Sequence, residues 1–129
     1  MDQARQNLGS HRMLSRSTPL RRTPFKKKAA KKRATASEKR HMGAVARIGC
    51  IVCWNLGYGF CEAEVHHVRF SAGTGQRAAH VDTIPLCPPH HRIGGHGIAI
   101  HAGQETWEAN FGNEAELLDQ VRRMLLEVA

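Results

Sequence analysis

Two short motifs in the sequence have the residue types and the spacing of a metal site. Cys50 and Cys53 form a C-x-x-C pair, and Cys87 and His90 form a C-x-x-H pair. The two-residue spacer lets both side chains of a pair face one ion, and thiolates with imidazole make a tetrahedral set that structural zinc accepts. We therefore predict a structural Zn²⁺ at these four residues. Cys61 is a competitor for a ligand position, although a buried free thiol is the preferred interpretation.

Histidines are dense in the same part of the chain. Besides His90, six of them fall within thirty-six residues, which is more than packing requires: His66, His67, His80, His91, His96 and His101. A single histidine is more often a surface or hydrogen-bonded residue than a ligand. A cluster beside a zinc site instead predicts a second and more open metal site.

The pair His66-His67 lies in EVHHVRF, which has the composition of a short strand. Neighbouring side chains of a strand point to opposite faces. Two adjacent imidazoles in a strand are therefore expected to serve two different purposes.

The surrounding pattern predicts a small α+β domain. The strands are EVHHVRF and VDTIPLC, with a glycine-containing loop between them. The predicted helices are one with a capping box at Thr35 and Glu38 that ends at Gly49, one from Pro88-Pro89 through His90 and His91 to Gly94-Gly95, one that ends at Gly112, and a last one that begins near Asn113 and Glu116. GCIVCWNLGYGFC is interpreted as a zinc knuckle and turn, over which Trp54, Tyr58 and Phe60 are available to pack. In the last helix Leu117, Leu118, Val121, Leu125 and Val128 share the face expected to pack on the core.

The positive charge is concentrated at the N-terminus. Residues 1–34 hold eleven Lys and Arg against one acid, a net charge of +10, whereas the remaining residues have a net charge of −2. This segment has no apolar periodicity, so we predict a disordered tail (1–34) and a folded domain (35–129). Neutralising phosphates releases counterions, so such a tail is suited to a polyanion. The residues expected to contact DNA are Arg21, Arg22, Lys26, Lys27, Lys28, Lys31, Lys32 and Arg33, with Arg77 in the domain. A solubilising or ribosome-like tail is the alternative.

Composition also limits the setting. Aromatic residues make up 5% of the 129 residues, so apolar burial alone would leave the domain marginal, and a metal is a common remedy. The N-terminus has no apolar segment of the kind that secretion needs, and no run reaches transmembrane length. We expect a reducing cytoplasm, where paired cysteines are more often ligands than disulfides.

The order C-x-x-C, VHHV, DTIPLC-x-x-HH resembles the HNH (ββα-metal) nucleases. Within that superfamily, HHVRFSAGTGQRAAHVDTIPLCPPHHRIGGHG followed by IHAGQETWEANFG is similar to the phage Ref-type group, whose members are recombination enhancement nucleases that act with RecA filaments on DNA. The resemblance covers residues from about 37 to 129. It implies a small zinc-stabilised ββα-metal core with flanking helices.

The resemblance also implies roles for individual residues. His67 takes the place of the general base that activates water, and Asp82 stands where an Asn usually orients that base. His66 and His91 match metal ligands of the motif, and His101 is the candidate third ligand, with His96 as a weaker competitor. The implied catalytic ion is Mg²⁺ or Mn²⁺, besides the structural Zn²⁺.

The implied function is a metal-dependent DNA endonuclease of phage or prophage recombination in a bacterial cell. Its expected partners are single-stranded DNA or a recombination intermediate and a RecA filament, with no membrane, and a monomer is the expected state. Two other interpretations stay open: a non-catalytic zinc module that binds DNA or RNA, and a small zinc adaptor that binds a protein through its last helix.

Overall fold

A computed structural model describes residues 24, 27–73 and 77–128. The described chain has an α+β fold, and Lys32–Ala129 falls in one compact unit. Its regular elements, in chain order, are α1 (Ala36–Ile48), α2 (Ile51–Asn55), β1 (Glu64–His67), β2 (Thr83–Leu86), a π-helix (Pro89–Ile93), a 3₁₀-helix (Ile100–Ala102), α3 (Gln104–Phe111) and α4 (Glu114–Val128).

Helix α1 begins and ends where the sequence predicts. The Thr35 hydroxyl accepts a hydrogen bond from the Glu38 backbone N–H at 3.2 Å, and the Glu38 carboxylate accepts one from the Thr35 N–H at 2.7 Å. This reciprocal pair is the predicted capping box. At the other end Gly49 has a positive φ of 84°, and a Cβ there would lie 2.7 Å from the Phe60 ring. Only glycine meets both constraints.

The two strands form an antiparallel sheet, with His66 opposite Ile84 and His67 opposite Thr83. The predicted strands are confirmed, but each is only four residues long. The backbone N–H of Val68 donates to the carbonyl of Asp82, which extends the pairing by one step beyond β1. The long connection between the strands, 68–82, therefore starts and ends at adjacent points.

The core lies where α1 and α4 pack on β2. Trp107 of α3 is its largest fully buried side chain. The next largest are those of Ile51, Ile84, Leu86 and Ile100. Burial of each such side chain contributes about 1.5–3 kcal/mol relative to exposure.

The buried face predicted for helix α4 is confirmed at four of its five residues. Leu117, Leu118 and Val121 are buried and Leu125 is partly buried. Val128 is the exception, since it is 84% exposed at the end of the helix.

Two predictions in the cysteine-rich half need correction. The segment after Cys50 is a short helix, α2, rather than only a knuckle and turn. The side chains expected to pack over this segment do not shield it from solvent. Their exposed fractions are 41% for Trp54, 70% for Tyr58 and 62% for Phe60. The turn that contains Tyr58 and Phe60 has positive φ at Gly57 and Gly59.

The remaining helices agree with the sequence in position. The helix after Pro88 ends at Gly94 but is a π-helix, and α3 ends at Gly112 as predicted. The side chain of Asn113 accepts from the Glu116 N–H at 2.9 Å and so caps α4. Within the described part of the chain, no helix has the length and apolar character needed to cross a membrane.

Candidate active site

The first metal-ligand cluster, here called the cysteine site, consists of Cys50, Cys53, Cys87 and His90. Cys50 immediately precedes α2 and Cys53 lies in that helix, whereas Cys87 follows β2 and His90 lies in the π-helix. All four side chains are buried, and their ligand atoms lie within 4.8 Å of one another. Two helix starts and one strand end thus converge on one point inside the domain.

The distances within the cysteine site fit a tetrahedral ion. The Sγ atoms of Cys53 and Cys87 are 3.8 Å apart, and Nδ1 of His90 is 3.5 Å from Cys50 Sγ and 3.6 Å from Cys53 Sγ. Zn–S bonds of about 2.3 Å and Zn–N bonds of about 2.0–2.1 Å give tetrahedral edges of about 3.8 Å between sulfurs and about 3.6 Å between sulfur and nitrogen. The Cys87–His90 edge is shorter, at 3.0 Å. The four residues are close enough to hold a metal ion and are compatible with zinc.

The chemistry of this donor set also suits a cation. Burial raises the pKa of the Cys53 and Cys87 thiols, and burial lowers the pKa of His90. Buried thiolates this close together require a positive charge between them. Cys61 lies outside the cluster, and its carbonyl accepts the N–H of Cys50 at 2.9 Å.

A second cluster, here called the three-histidine site, consists of His66, His91 and His101. His66 is buried on β1, His91 lies in the π-helix and His101 in the 3₁₀-helix. Their ring centroids are 4.7–5.2 Å apart, and one nitrogen of each lies within 4.8 Å of the others. These three residues could hold a second metal ion. His96 is not part of this cluster, since its Nδ1 lies 3.3 Å from the carbonyl of Ala102.

Two carboxylates contact the outer nitrogens of this site. Oε1 of Glu114 lies 2.8 Å from Nε2 of His66, and Oε2 of Glu64 lies 2.7 Å from Nδ1 of His91. Carboxylates in this position fix the ring orientation and tautomer of metal-ligating histidines. Glu64 also binds the Arg92 guanidinium, and hydrogen bonds from Arg92 and His91 lower the pKa of this carboxyl to about 2.

The third histidine contacts an arginine instead. Arg69 Nη2 donates to Nδ1 of His101 at 2.6 Å, and Nε2 of His101 lies 3.0 Å from Nε2 of His91. Burial lowers the pKa of His101, and the positive charge of nearby Arg69 acts in the same direction. Of the three residues His101 is the exposed one, whereas His66 is buried and His91 is partly buried.

An open pocket of about 340 Å³ brings the candidate catalytic groups together. It is lined by Val65, His66, His67, Val68, Arg69, Arg77, Ala78, His91 and His101. His67 thus reaches the same cavity as the three-histidine site, beside two arginines. A pocket with imidazoles and guanidinium groups on its walls is suited to an anionic ligand such as a phosphodiester.

The His67 ring has its own contact. Nε2 of His67 lies 2.9 Å from Nδ1 of His80, with the ring centroids 5.1 Å apart. Burial lowers the pKa of His67, and the positive charge of nearby Arg77 acts in the same direction. A neutral imidazole of this kind is suited to accept a proton.

Asp82 lies elsewhere than the resemblance implies. Its carboxylate accepts a hydrogen bond from Arg122 of α4 at 2.7 Å, and the described residues show no hydrogen bond between Asp82 and His67. The structure therefore brings His80, rather than the Asp82 carboxylate, to the His67 ring.

The predicted DNA-contacting residues fall into three groups. Arg77 lines the pocket. Five basic residues at the start of the described chain are exposed: Lys27, Lys28, Lys31, Lys32 and Arg33. Arg21, Arg22 and Lys26 lie outside the described residues.

Sequence reasoning missed His80 as a partner and both carboxylates. In the sequence His80 is marked only by lying in a dense group of histidines. Glu64 and Glu114 come together with their histidines only through the fold. Glu114 did offer a signal, because it lies three and seven residues before Leu117 and Val121 and so on the buried face of α4.

A comparison with known protein families gives a match. The family model described as "Recombination enhancement, RecA-dependent nuclease" matches residues 34–126. No curated protein gives a significant match. The matched region contains both metal-ligand clusters, His67 and the pocket, and it covers well over half of the chain. The chain therefore belongs to the family of recombination enhancement, RecA-dependent nucleases.

Proposed function

We propose that this protein is a metal-dependent endonuclease that hydrolyses DNA phosphodiester bonds with His67 as general base. The observation that carries the proposal is the shared pocket, in which His67 lies beside a three-histidine cluster and two arginines. The family description supports nuclease activity. The chemistry of the side chains in the pocket supports the more specific proposal, metal-dependent hydrolysis with His67 as general base.

The three-histidine site is the proposed position of the catalytic ion. Such an ion, when bound, acts as a Lewis acid that neutralises the scissile phosphate and supports the leaving 3′ oxygen. Of the two expected ions, Mn²⁺ suits three imidazole donors better than Mg²⁺, which prefers oxygen ligands. His66, His91 and His101 hold the ion and fix where the phosphate lies.

His67 is the proposed base. Its Nε2 is occupied by His80, so Nδ1 is the atom available to take the proton of the attacking water. A positioned base contributes on the order of 10²–10⁴-fold to the rate. Asp82 stays a candidate catalytic group only through the family pattern, since its carboxylate binds Arg122.

The remaining groups are proposed to bind DNA or to stabilise the fold. Arg69 and Arg77 contact neighbouring phosphates, and the basic residues of the tail hold the polyanion without reading sequence. The cysteine site binds a structural Zn²⁺ that stabilises a small core. We interpret β1, β2 and the helix after Pro88 as a ββα-metal unit of the HNH type.

The proposed substrate is single-stranded DNA or a recombination intermediate on a RecA filament. The proposed setting is the cytoplasm of a bacterial cell that carries a phage or prophage, with the protein acting as a monomer. The family description supports the substrate and the filament. The phage setting rests on the resemblance to Ref-type proteins, and the cytoplasmic location and the monomeric state are predictions.

The experiment that tests the proposal is a cleavage assay. Single- and double-stranded DNA are incubated with the protein and Mg²⁺ or Mn²⁺, each with and without a RecA filament. We expect cleavage that requires the divalent ion and is strongest with the filament. Absence of cleavage in every arm would support a non-catalytic zinc-binding DNA or RNA module instead.

A further inference from the structure

Glu114 is a charged residue in an unusual place. It is the first residue of α4 and its side chain is 1% exposed. An acid in the first turn of a helix normally faces solvent, where the helix dipole already favours it. A carboxylate inside a protein instead needs hydrogen-bond donors to offset its lost hydration.

Each oxygen of this carboxylate has separate donors. Oε1 lies 2.8 Å from Nε2 of His66, while Oε2 accepts the backbone N–H of Arg69 at 2.7 Å and, at 3.4 Å, that of Phe70. The helix start is thereby joined to two places on one stretch of chain: a side chain of β1 and the backbone just after that strand. The carboxylate accepts at both places.

The contact with His66 determines which of its nitrogens is free. An ionised carboxylate only accepts hydrogen bonds, so Nε2 of His66 must carry the proton. Neutral imidazole has one protonated nitrogen, and the other then has the lone pair that binds a metal. Glu114 thus leaves Nδ1 of His66 available as the ligand atom.

The contact with the backbone fixes a second group. Arg69 donates from its side chain to His101 and also lines the pocket. Oε2 of Glu114 accepts the backbone N–H of the same arginine. A single carboxylate therefore contacts both the His66 ring and the backbone of Arg69, whose side chain contacts His101.

We infer that Glu114 is a positioning residue of the three-histidine site, which selects the metal-binding tautomer of His66 and holds Arg69 beside it. The inference rests on the proposed role of this site as a metal centre. In a purely structural role, Glu114 would only join α4 to the chain after β1. The contacts would be the same, but the metal affinity would not depend on the charge of residue 114.

Glu114→Gln separates the two roles because it keeps the shape. A glutamine oxygen can still accept from the backbone of Arg69, which turns its NH₂ group toward His66. His66 then has to accept at Nε2 and carry its proton on Nδ1, the ligand atom. Hydrogen bonding and packing are kept, whereas the tautomer is inverted. Glu116→Gln, on the exposed side of the same helix, is the matched control.

The first measurement is calorimetric titration with Mn²⁺ of the full chain carrying one zinc ion per molecule, so that the cysteine site is filled and the three-histidine site is free. Loss of a carboxylate that orients a ligand weakens metal affinity by about 10–100-fold. We expect that loss for Glu114→Gln, no change for Glu116→Gln, and unchanged zinc content and melting temperature in both. Unchanged Mn²⁺ affinity in folded Glu114→Gln would overturn the inference. Absence of Mn²⁺ binding to the unsubstituted protein would instead contradict the proposed metal centre.

The second measurement tests the inference on the unsubstituted protein, whether or not Glu114→Gln folds. Nitrogen-15 NMR of the protein with one zinc ion per molecule, before Mn²⁺ is added, reports which ring nitrogen of His66 is protonated. We expect the proton on Nε2 in the unsubstituted protein, and on Nδ1 in Glu114→Gln if that variant folds. A proton on Nδ1 in the unsubstituted protein would overturn the inference, even if Glu114→Gln fails to fold.

Discussion

Nε2 of His67 lies 2.9 Å from Nδ1 of His80, while the Asp82 carboxylate lies 2.7 Å from Arg122. The group that contacts the proposed base is therefore a second histidine. The backbone of His80 is itself held, because the Thr83 hydroxyl donates to its carbonyl at 3.2 Å.

His80→Ala and Asp82→Asn should separate these two candidates for orienting His67. We expect His80→Ala to lower the cleavage rate at saturating DNA by on the order of 10-fold, part of the contribution of the positioned base. Asp82→Asn removes a partly exposed ion pair and should cost about 0.2–1 kcal/mol of stability, with little change in rate. Single-turnover kinetics and thermal unfolding report the two effects. The opposite ranking of rates would restore Asp82 as the orienting group.

Cys50→Ser should remove the metal of the cysteine site. A small domain with a structural zinc commonly unfolds when a ligand is lost. We expect loss of zinc by elemental analysis and loss of the cooperative melting transition. Cys61→Ser is the matched control, since Cys61 lies outside the cluster and should keep both. Retention of full zinc content by Cys50→Ser would refute its role as a ligand.

His101→Ala tests the third ligand of the second site. His101 lies with His66 and His91, whereas His96 contacts a backbone carbonyl. We expect His101→Ala to weaken Mn²⁺ binding by at least about 10-fold, the lower limit for residues that only orient ligands. His96→Ala should leave the affinity unchanged. Equal affinities for the two variants would remove His101 from the site.

Neutral substitution of the exposed tail residues tests the electrostatic contact with DNA. Lys27, Lys28, Lys31, Lys32 and Arg33 are replaced together by glutamine. Each phosphate contact contributes about 0.7–0.9 to the slope of log affinity against log salt. A slope reduced by up to about 4, with the melting temperature kept, is the expected result of binding titrations at several salt concentrations. An unchanged slope would show that these residues do not contact phosphates.

Much of the fold follows from local signals in the sequence. The capping box at Thr35 and Glu38, the stop at Gly112 and the cap at Asn113 are set by neighbouring residues, so they could be predicted. The cysteine site follows from two short spacers. The helical period alone places Val128 on the buried face, but it lies at the end of the helix and is 84% exposed.

The contacts around the histidines do not follow from local signals. Glu114 meets His66 across forty-eight residues, and Arg122 meets Asp82 across forty. Such pairs depend on how α4 packs against the sheet. The family pattern predicts the candidate ligands, whereas the carboxylates that contact them are found only in the three-dimensional structure.

The most direct test of the central claim is the cleavage rate of His67→Ala on RecA-coated DNA, measured under single-turnover conditions with Mn²⁺. The account predicts a rate about 10²–10⁴-fold lower than that of the unsubstituted protein, with zinc content, Mn²⁺ affinity and melting temperature unchanged. His96→Ala, a substitution of an exposed histidine outside both clusters, should cleave normally. Cleavage by His67→Ala at the unsubstituted rate would contradict the assignment of His67 as the base.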